Sequence, residues 1–359
     1  MSSFYKGKKV FVTGHTGFKG AWLSQILISL GAEVKGVSLA PNTEPSLYNL
    51  LDLGSKMQSV FADIRDGERL KKELTSFNPD IVFHLAAQPL VRLSYSEPVT
   101  TFETNIMGTV NLLEAVRANP ATRCVVNITS DKCYDNKETA TPYKETDPMG
   151  GYDPYSASKG MMELLCASYR NSFFNPKDYG TKHATAVATA RAGNVIGGGD
   201  YALDRIVPDC ARAISQNKEV VLRSPKATRP WQHVLEPLYG YLFLAEKMWT
   251  DKSFAQGWNF GPDSSGVQTV EELVKVFISA WGKGSYRVEA NAALHEAKLL
   301  HLDITKVKTV LGWLPVYTFE QATTQTALWY KAFYDGADIK EFTLKQIKEY
   351  QDNIKWNTF

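Results

Sequence analysis

A glycine-rich turn between an apolar run and a helical pattern constrains the fold of this chain more than any other feature. The apolar run is Val10 to Val12, and the turn follows directly as TGHTGFKG over residues 13–20. Glycines spaced three apart allow a tight strand-to-helix turn whose backbone N–H groups can approach a pyrophosphate at the helix N-terminus. We therefore predict a dinucleotide-binding loop after the first strand, with the candidate contacts Gly14, His15, Thr16, Gly17, Phe18, Lys19 and Gly20.

Short apolar runs alternate with amphipathic helical patterns through the first 129 residues. The runs lie at residues 10–13, 34–37, 81–84 and 125–129. Near-continuous apolar strands are typical of a parallel sheet covered on both faces, and such a sheet binds ligands beyond the carboxyl ends of its strands. We therefore expect an α/β fold built on a Rossmann-type, doubly wound parallel sheet.

The strict alternation stops near residue 190. Helical patterns near residues 204–216, 236–249, 268–281 and 318–334 then dominate, with short strands between them. We predict a dinucleotide-binding domain over residues 1–190, joined by parts of 230–262, and a smaller mixed α/β substrate-binding domain over 191–359. No clear linker marks the boundary, which leaves open more than one crossing of the chain between the two lobes.

The composition fits a globular protein that holds its ligands by local contacts. The 359 residues are 44% hydrophobic and 22% charged, and the net charge is only +2 with both signs scattered, so we expect no nucleic-acid partner. No apolar run approaches the roughly 20 residues of a membrane span. The four cysteines contain no CxxC pair, which favours free thiols in the cytoplasm and no metal site.

Further candidate cofactor contacts follow a third predicted strand, which ends just before residue 63, and a fourth, the apolar run at 81–84. Asp63 and Ile64 are placed to flank an adenine, and Leu85, Ala86, Ala87 and Gln88 follow His84, which we interpret as a core histidine. The second strand ends in Ser38-Leu39 without the acid that bonds a ribose 2′-hydroxyl. These residues alone therefore leave the choice between NAD and NADP open.

Tyr155 and Lys159 lie four residues apart on one face of a predicted helix. A tyrosine near pKa 10 is a poor base at neutral pH, and a cation within about 4–6 Å favours its phenolate. Tyr5 and Lys9 have the same spacing but precede the first strand, so context favours the later pair. Ser130, Asp131 and Lys132 follow the fifth strand, where a doubly wound sheet presents its chemistry; we interpret them as catalytic partners of Tyr155 and Lys159.

Four ordered motifs resemble the extended short-chain dehydrogenase/reductase family over essentially the whole chain. They are TGxxGFxG at 13–20, HLAA at 84–87, NxxGT at 105–109 and YxxxK at 155–159. The resemblance implies NAD as cofactor, with Thr104 among its contacts and Lys159 on the nicotinamide ribose. It also implies that Ser130 and Tyr155 flank a sugar 4-hydroxyl, and that helices near 98–119 and 152–172 form a homodimer or homotetramer interface.

Within that family the chain is most similar to nucleotide-sugar 4,6-dehydratases. In the members that act on dTDP-glucose, the motif that supplies the acid and the base for water elimination is TDE. Here it reads Ser130-Asp131-Lys132, and this departure resembles the branch that acts on CDP-glucose. The resemblance implies that Asp131 protonates the C6 hydroxyl and that Lys132 serves C5 proton removal. It also implies substrate contacts from Gln88, Arg92, Asn194, Arg205 and Arg229, with Arg229 on the pyrophosphate.

Two other functions are compatible with most of these motifs. A nucleotide-sugar 4-epimerase shares all of them except the Asp131-Lys132 pair, and performs only the hydride step. An NAD(P)-sensing protein on the same fold is the non-enzymatic alternative, because a fold does not dictate a function. The nucleotide base of the substrate stays open from the residues alone.

Overall fold

The computed structural model describes residues 2–203, 205–289 and 300–356. Its strands are β1 (Lys9–Thr13), β2 (Glu33–Ser38), β3 (Gln58–Phe61), β4 (Ile81–His84), β5 (Cys124–Ile128), β6 (Ala186–Arg191), β7 (Val195–Ile196), β8 (Val220–Leu222), β9 (Thr228–Pro230), β10 (Gln232–His233), β11 (Gly257–Asn259), β12 (Val267–Thr269) and β13 (Tyr286–Val288). Seven of them form one parallel sheet in the order β11-β6-β5-β4-β1-β2-β3. The predicted Rossmann-type sheet is confirmed.

Helices follow most of the strands of this sheet. They are α1 (Ser2–Tyr5), α2 (Phe18–Ser29), α3 (Leu47–Leu50), α4 (Gly67–Phe77), α5 (Val91–Ser96), α6 (Pro98–Phe102), α7 (Gly108–Arg117), α8 (Pro154–Ser172), α9 (Ile206–Ser215), α10 (Leu235–Thr250), α11 (Val270–Trp281), α12 (Phe319–Tyr334) and α13 (Ile339–Asn353). A π-helical segment, Glu103–Met107, joins α6 to α7. Asp204, where one helical pattern begins, lies outside the described residues.

The sheet is buried on both faces because its strands are apolar at successive positions. Val10 and Val12 of β1 belong to a core that includes residues of α2 and α10, whereas Phe11 belongs to a second core with residues of α4, α7 and α8. Successive side chains of a strand point to opposite faces, so each strand contributes to both cores. No helix within the described ranges combines the length and apolar character that crossing a bilayer requires.

The chain leaves the large sheet after β6 and later returns to it through β11. Strand β11 pairs in parallel with β6, and α10 packs on β5 and β6. The remaining C-terminal elements form pairs of two short strands, β7-β10, β9-β12 and β8-β13, with α9, α11, α12 and α13. The division into domains at residue 190 stays a prediction, and residues 257–259 lie in the large sheet.

Candidate active site

The loop between β1 and α2 has the shape that a pyrophosphate requires. Gly14 has a φ of +78°, and a Cβ there would lie 2.7 Å from the backbone nitrogen of Ala86. A Cβ on Gly20 would lie 2.0 Å from the Gly14 carbonyl oxygen. Gly17 is exposed at the N-cap of α2, with no protein atom closer than 3.5 Å to such a Cβ. The loop is therefore tight where it meets the sheet and open at the helix N-terminus, which fits a dinucleotide phosphate.

The side chains of this loop point to different parts of the molecule. The His15 ring is buried against Gly36, its Nε2 lies 2.7 Å from the Ser59 hydroxyl, and burial lowers its pKa to about 4. Its side chain therefore packs against Gly36 of β2, and a cofactor contact of His15 stays a prediction. Thr16 donates to the Leu39 carbonyl at 2.9 Å and closes the end of β2.

Lys19 faces the catalytic groups. Burial lowers its pKa to about 8, with a further lowering from the charge of Arg205 and an opposing effect of Asp131. The first turn of α2 thus brings a cation towards the residues that follow β5. Phe18 is half-buried beside it and packs against the core.

The predicted adenine contacts, Asp63 and Ile64, follow β3, an edge strand of the large sheet. The Asp63 carboxylate is held by Arg65 at 2.7 Å, and that hydrogen bond lowers the pKa of Asp63. Ile64 is buried, and its Cδ1 would lie 2.4 Å from a Cβ on Gly108. Thr104 lies half-buried in the π-helical segment. Their contacts with a cofactor stay predictions.

The segment after β4 is fixed by hydrogen bonds of its own. His84 is fully buried, with its ring nitrogens 2.6 Å from the Thr13 hydroxyl and 3.1 Å from the Thr109 hydroxyl. Burial lowers its pKa to about 3, so the ring is a neutral core group. Leu85, Ala86 and Ala87 follow it half-buried.

Gln88 and Arg92, two predicted substrate contacts, differ in their surroundings. The Gln88 side chain donates to the Thr101 hydroxyl at 2.8 Å and accepts from the Leu90 N–H at 2.5 Å. It therefore already stabilises the turn at residues 88–90. Arg92 is exposed on α5.

The N-terminal half of α8 presents Tyr155 and Lys159 on one buried face. Asp153 caps the helix by accepting from the Ser156 N–H at 2.9 Å, and Pro154 occupies the first helical position. Tyr155 and Lys159 are 8% and 3% exposed. The Lys159 ammonium donates to the Ile128 carbonyl at 3.4 Å, which ties the helix to the end of β5.

The electrostatics of this pair involve two cations from elsewhere in the chain. Burial, and then the charge of Lys19, lowers the pKa of Lys159 to about 7. Burial raises the pKa of Tyr155 to about 12, while a hydrogen bond with Ser130 and the charge of Arg205 oppose that rise. Arg205, predicted only as a substrate contact, therefore also favours the phenolate. Its guanidinium is held by Asp200 at 2.8 Å.

The residues after β5 form a short 3₁₀ turn, Asp131–Cys133, that faces Tyr155. The Ser130 hydroxyl donates to Asp131 Oδ1 at 2.9 Å, and the Asn194 amide lies 3.4 Å from Asp131 Oδ2. A Cβ on Gly193 would lie 1.9 Å from that same oxygen, so only glycine leaves room for the carboxylate. Lys132 is half-buried in the turn. The structure thus brings Ser130, Asp131 and Asn194 together.

A cavity of about 420 Å³ lies between Asp131 and residues 261–267 and 301–305 of the C-terminal part of the chain. Its size is within the range of small-molecule sites. Arg229 lies in β9 beside the wall residue Pro230, and its guanidinium donates to the Thr228 carbonyl at 2.9 Å. The wall residues are Asp131, Ala140, Pro142, Gly193, Pro230, Gln232, Gly261, Pro262, Asp263, Ser264, Val267, His301, Leu302, Asp303, Ile304 and Thr305.

Sequence reasoning missed two groups around this site. His301 lines the cavity, and burial and the charge of Arg229 lower its pKa. Glu163 and Arg191 form a buried ion pair behind the Ser130 turn. The sequence did contain a signal for the ion pair: Glu163 is four residues after Lys159, which places Glu163 and Lys159 on one face of the helix. Among the described residues there is no cluster of three metal-ligating side chains.

Comparison with known proteins gives matches along nearly the whole chain. The family model of GDP-mannose 4,6 dehydratase matches residues 11–326. A CDP-glucose 4,6-dehydratase of Salmonella typhimurium strain LT2 is 49% identical over 350 residues, covering 97% of each chain. A dTDP-glucose 4,6-dehydratase of Xanthomonas campestris pv. campestris is 26% identical, over 89% of this chain and 92% of its own.

Solved structures show the same fold at lower identity. A dTDP-glucose 4,6-dehydratase from Streptomyces venezuelae, with NAD bound, has a TM-score of 0.76 at 23% identity, covering 92% of this chain and 98% of its own. A UDP-glucose 4-epimerase from Stenotrophomonas maltophila, also with NAD, has a TM-score of 0.78 at 23% identity, covering 92% of this chain and 100% of its own. Dehydratases and epimerases thus share this architecture.

Proposed function

Because this chain belongs to the GDP-mannose 4,6-dehydratase family of extended short-chain dehydrogenase/reductases, we propose that it is a CDP-glucose 4,6-dehydratase. It converts CDP-D-glucose to CDP-4-keto-6-deoxy-D-glucose and uses NAD that is regenerated in each turnover. One structural observation carries the proposal: Asp131 lines the cavity and accepts a hydrogen bond from the Ser130 hydroxyl at 2.9 Å. The relative with 49% identity supports CDP as the nucleotide.

The glycine loop and the N-terminus of α2 would hold the cofactor's pyrophosphate, and Lys159 its nicotinamide ribose. When bound, NAD supplies the acceptor for the C4 hydride and later the donor to C6. Tyr155 takes the C4 hydroxyl proton, and Ser130 beside it orients that hydroxyl. The charge of Arg205 stabilises the phenolate of Tyr155.

Water elimination then depends on the residues of the 3₁₀ turn. The C4 ketone acidifies the C5 proton, which Lys132 or a group that it positions removes. Asp131 donates a proton to the departing C6 hydroxyl, so that water leaves and a C5–C6 double bond forms. Asn194 and Ser130 hold the Asp131 carboxylate in place through one contact to each oxygen.

A substrate panel tests this assignment. The protein is incubated with NAD and with CDP-, dTDP-, UDP- or GDP-hexose, and the products are analysed by mass spectrometry and NMR. We expect a 4-keto-6-deoxy sugar, formed fastest from CDP-glucose. A C4 epimer that keeps its C6 hydroxyl identifies an epimerase instead, and tight NAD binding without turnover of any sugar identifies a sensing protein.

An apolar surface on three adjacent helical segments supports a homodimer, with a homotetramer as its extension. The residues are at least 46% exposed and lie on α5, on the α6-to-α7 stretch and on α8: Tyr95, Val99, Met107, Met161 and Leu164. These helical segments contact one another, and exposed apolar side chains grouped on neighbouring elements are typical of association sites. Light scattering should give a dimer or tetramer mass, and Leu164→Glu should lower it to that of a monomer.

The four cysteines support a reducing compartment as the place of action. Cys124, Cys133, Cys166 and Cys210 are free and buried. We keep the cytoplasm as the proposed location. Fractionation of the host cells tests it.

A further inference from the structure

The short segment that carries Ser130 and Asp131 is held at both ends by one buried ion pair. The pair is Glu163 of α8 and Arg191 of β6, with 2.8 Å between Glu163 Oε2 and Arg191 Nη2 and side chains 4% and 5% exposed. At the start of the segment, the Thr129 hydroxyl donates to Glu163 Oε1 at 2.5 Å. At its end, Arg191 Nη1 donates to the Tyr134 hydroxyl at 2.5 Å.

The Tyr134 end also reaches the wall of the cavity. Its hydroxyl donates to Asn259 Oδ1 at 2.7 Å, and the Asn259 amide donates to the carbonyl oxygens of Tyr143 and Asp303 at 2.9 and 3.1 Å. Asp303 lines the cavity. One hydrogen-bonded chain therefore runs from the catalytic helix through Arg191 to the opposite side of the substrate site.

Stabilisation of the fold does not by itself explain why a buried ion pair lies here. Two charges taken out of water gain little net stability over apolar side chains of the same volume, and any specific use has to be argued from the site. Here each partner has a hydrogen bond to a different end of one six-residue segment. Neither partner is among the described residues that line the cavity.

We infer that the Glu163–Arg191 pair is a positioning device that fixes Asp131 relative to the C6 hydroxyl of the substrate. The inference rests on the proposed dehydratase function for its chemistry. Ser130 follows Thr129, whose N–H is already held by the Ala190 carbonyl of β6 at 2.9 Å. Asp131 is one residue further from the sheet and begins the 3₁₀ turn Asp131–Cys133, which leads directly into Tyr134, so its place depends on the Tyr134 end as well. Loosening that end impairs C6 hydroxyl loss more than C4 oxidation.

Two matched variants test the inference in the NAD-saturated enzyme. Tyr134→Phe removes the anchor at the end of the segment and keeps the ring that stacks on Tyr143. Thr189→Val removes a hydroxyl that donates to the same Glu163 Oε2 at 2.6 Å, but from the interior of β6 and without any bond to the segment. Both hydroxyls are buried, so general destabilisation of the core affects the two variants alike.

The readout is a quenched single turnover of CDP-glucose, with mass spectrometry of the sugar. In Tyr134→Phe we expect C4 oxidation within about twofold of wild type and C6 hydroxyl loss slower by on the order of 10-fold, so the 4-keto sugar that retains its C6 hydroxyl accumulates. In Thr189→Val both steps should stay within about twofold. Equal slowing of both steps in Tyr134→Phe, or equal effects in the two variants, overturns the inference.

Amide hydrogen exchange gives a readout that does not need turnover. Exchange at residues 131–135 should be faster in Tyr134→Phe and unchanged in Thr189→Val; no difference between the two also overturns the inference. If the wild type produces no 4-keto sugar from any nucleotide hexose, the proposed function fails while exchange still decides whether the pair holds the segment. If Tyr134→Phe does not fold, Arg191→Lys replaces it in both assays, because lysine keeps a charge beside Glu163 but lacks the second guanidinium nitrogen that reaches Tyr134.

Discussion

Glu236 should make the stability of this protein fall as the pH rises from 5 to 8. It is 2% exposed on α10, and its carboxylate accepts from the Val316 N–H at 3.0 Å, the Tyr317 N–H at 2.7 Å and the Tyr350 hydroxyl at 2.8 Å. Burial nevertheless raises its pKa from 4.5 to about 7. The folded protein therefore holds a proton on Glu236 at pH values where the unfolded chain has released it.

The sign and size follow from proton linkage. Below pH 4.5 both states are protonated, so the favourable effect of burying a neutral carboxyl is fully present there. It is lost as the pH rises to about 7, because the native site must then hold a charge. At 1.36 kcal/mol per pKa unit, the loss is about 3 kcal/mol.

Glu236→Gln isolates this effect because glutamine keeps an oxygen acceptor and does not titrate. Urea unfolding of both proteins is followed by tryptophan fluorescence and circular dichroism at pH 5 and pH 8, using conditions where the two transitions coincide. Part of the effect is already lost at pH 5, so the stability of the variant relative to wild type should rise by about 2.5 kcal/mol from pH 5 to pH 8. His84 and His233, whose pKa values burial lowers to about 3, contribute with opposite sign but cancel in this difference.

Glu271→Gln is the control, because hydrogen bonding to Tyr286 lowers the pKa of Glu271 and both states are ionised across this range. Its difference from wild type should be the same at pH 5 and pH 8. A Glu236→Gln difference that is constant over that range refutes the reasoning. A difference of opposite sign shows that the three donated hydrogen bonds outweigh burial.

Two further variant pairs test the site. Lys132→Met should permit C4 oxidation and abolish solvent deuterium incorporation at C5, with a loss of overall rate on the order of 10²–10⁴. Asp131→Asn should instead slow C6 hydroxyl loss while deuterium exchange at C5 continues. If Lys132→Met exchanges C5 at the wild-type rate, the base is another group. Gly20→Ala should lower the melting temperature, because its Cβ would lie 2.0 Å from the Gly14 carbonyl oxygen. Gly17→Ala has 3.5 Å of clearance, so it should leave the melting temperature unchanged. It should nevertheless weaken NAD binding, as measured by calorimetry. Equal melting temperatures for the two glycine variants contradict the loop geometry.

Local patterns predicted those parts of the site that local geometry determines. The glycine loop and the Tyr155–Lys159 spacing each need fewer than ten residues, and the apolar runs predict a sheet buried on both faces. Arg205, which acts on Tyr155, lies 50 residues further along the chain, and His301 in the cavity wall lies further still. Their positions depend on how the C-terminal lobe packs, which no spacing in the sequence encodes.

The prediction for Gln88 shows a different limit. A polar residue after a strand is compatible with a ligand contact and with a turn, and only the bonds to Thr101 and Leu90 distinguish the two. Helix α13 was not predicted because its apolar residues are separated by charged ones, although Asp338 caps it through the Lys340 and Glu341 N–H groups.

The Lys19–Lys159 proximity makes ligand binding a proton-coupled event. Lys159 titrates at about 7 partly because Lys19 repels a second positive charge. An anionic diphosphate that neutralises Lys19 removes that repulsion, so the affinity of Lys159 for a proton rises when the site fills. Near pH 7.5 the protein should therefore absorb a fraction of a proton from the buffer on binding. The apparent binding enthalpy should then differ between phosphate and Tris buffers in proportion to their ionisation enthalpies.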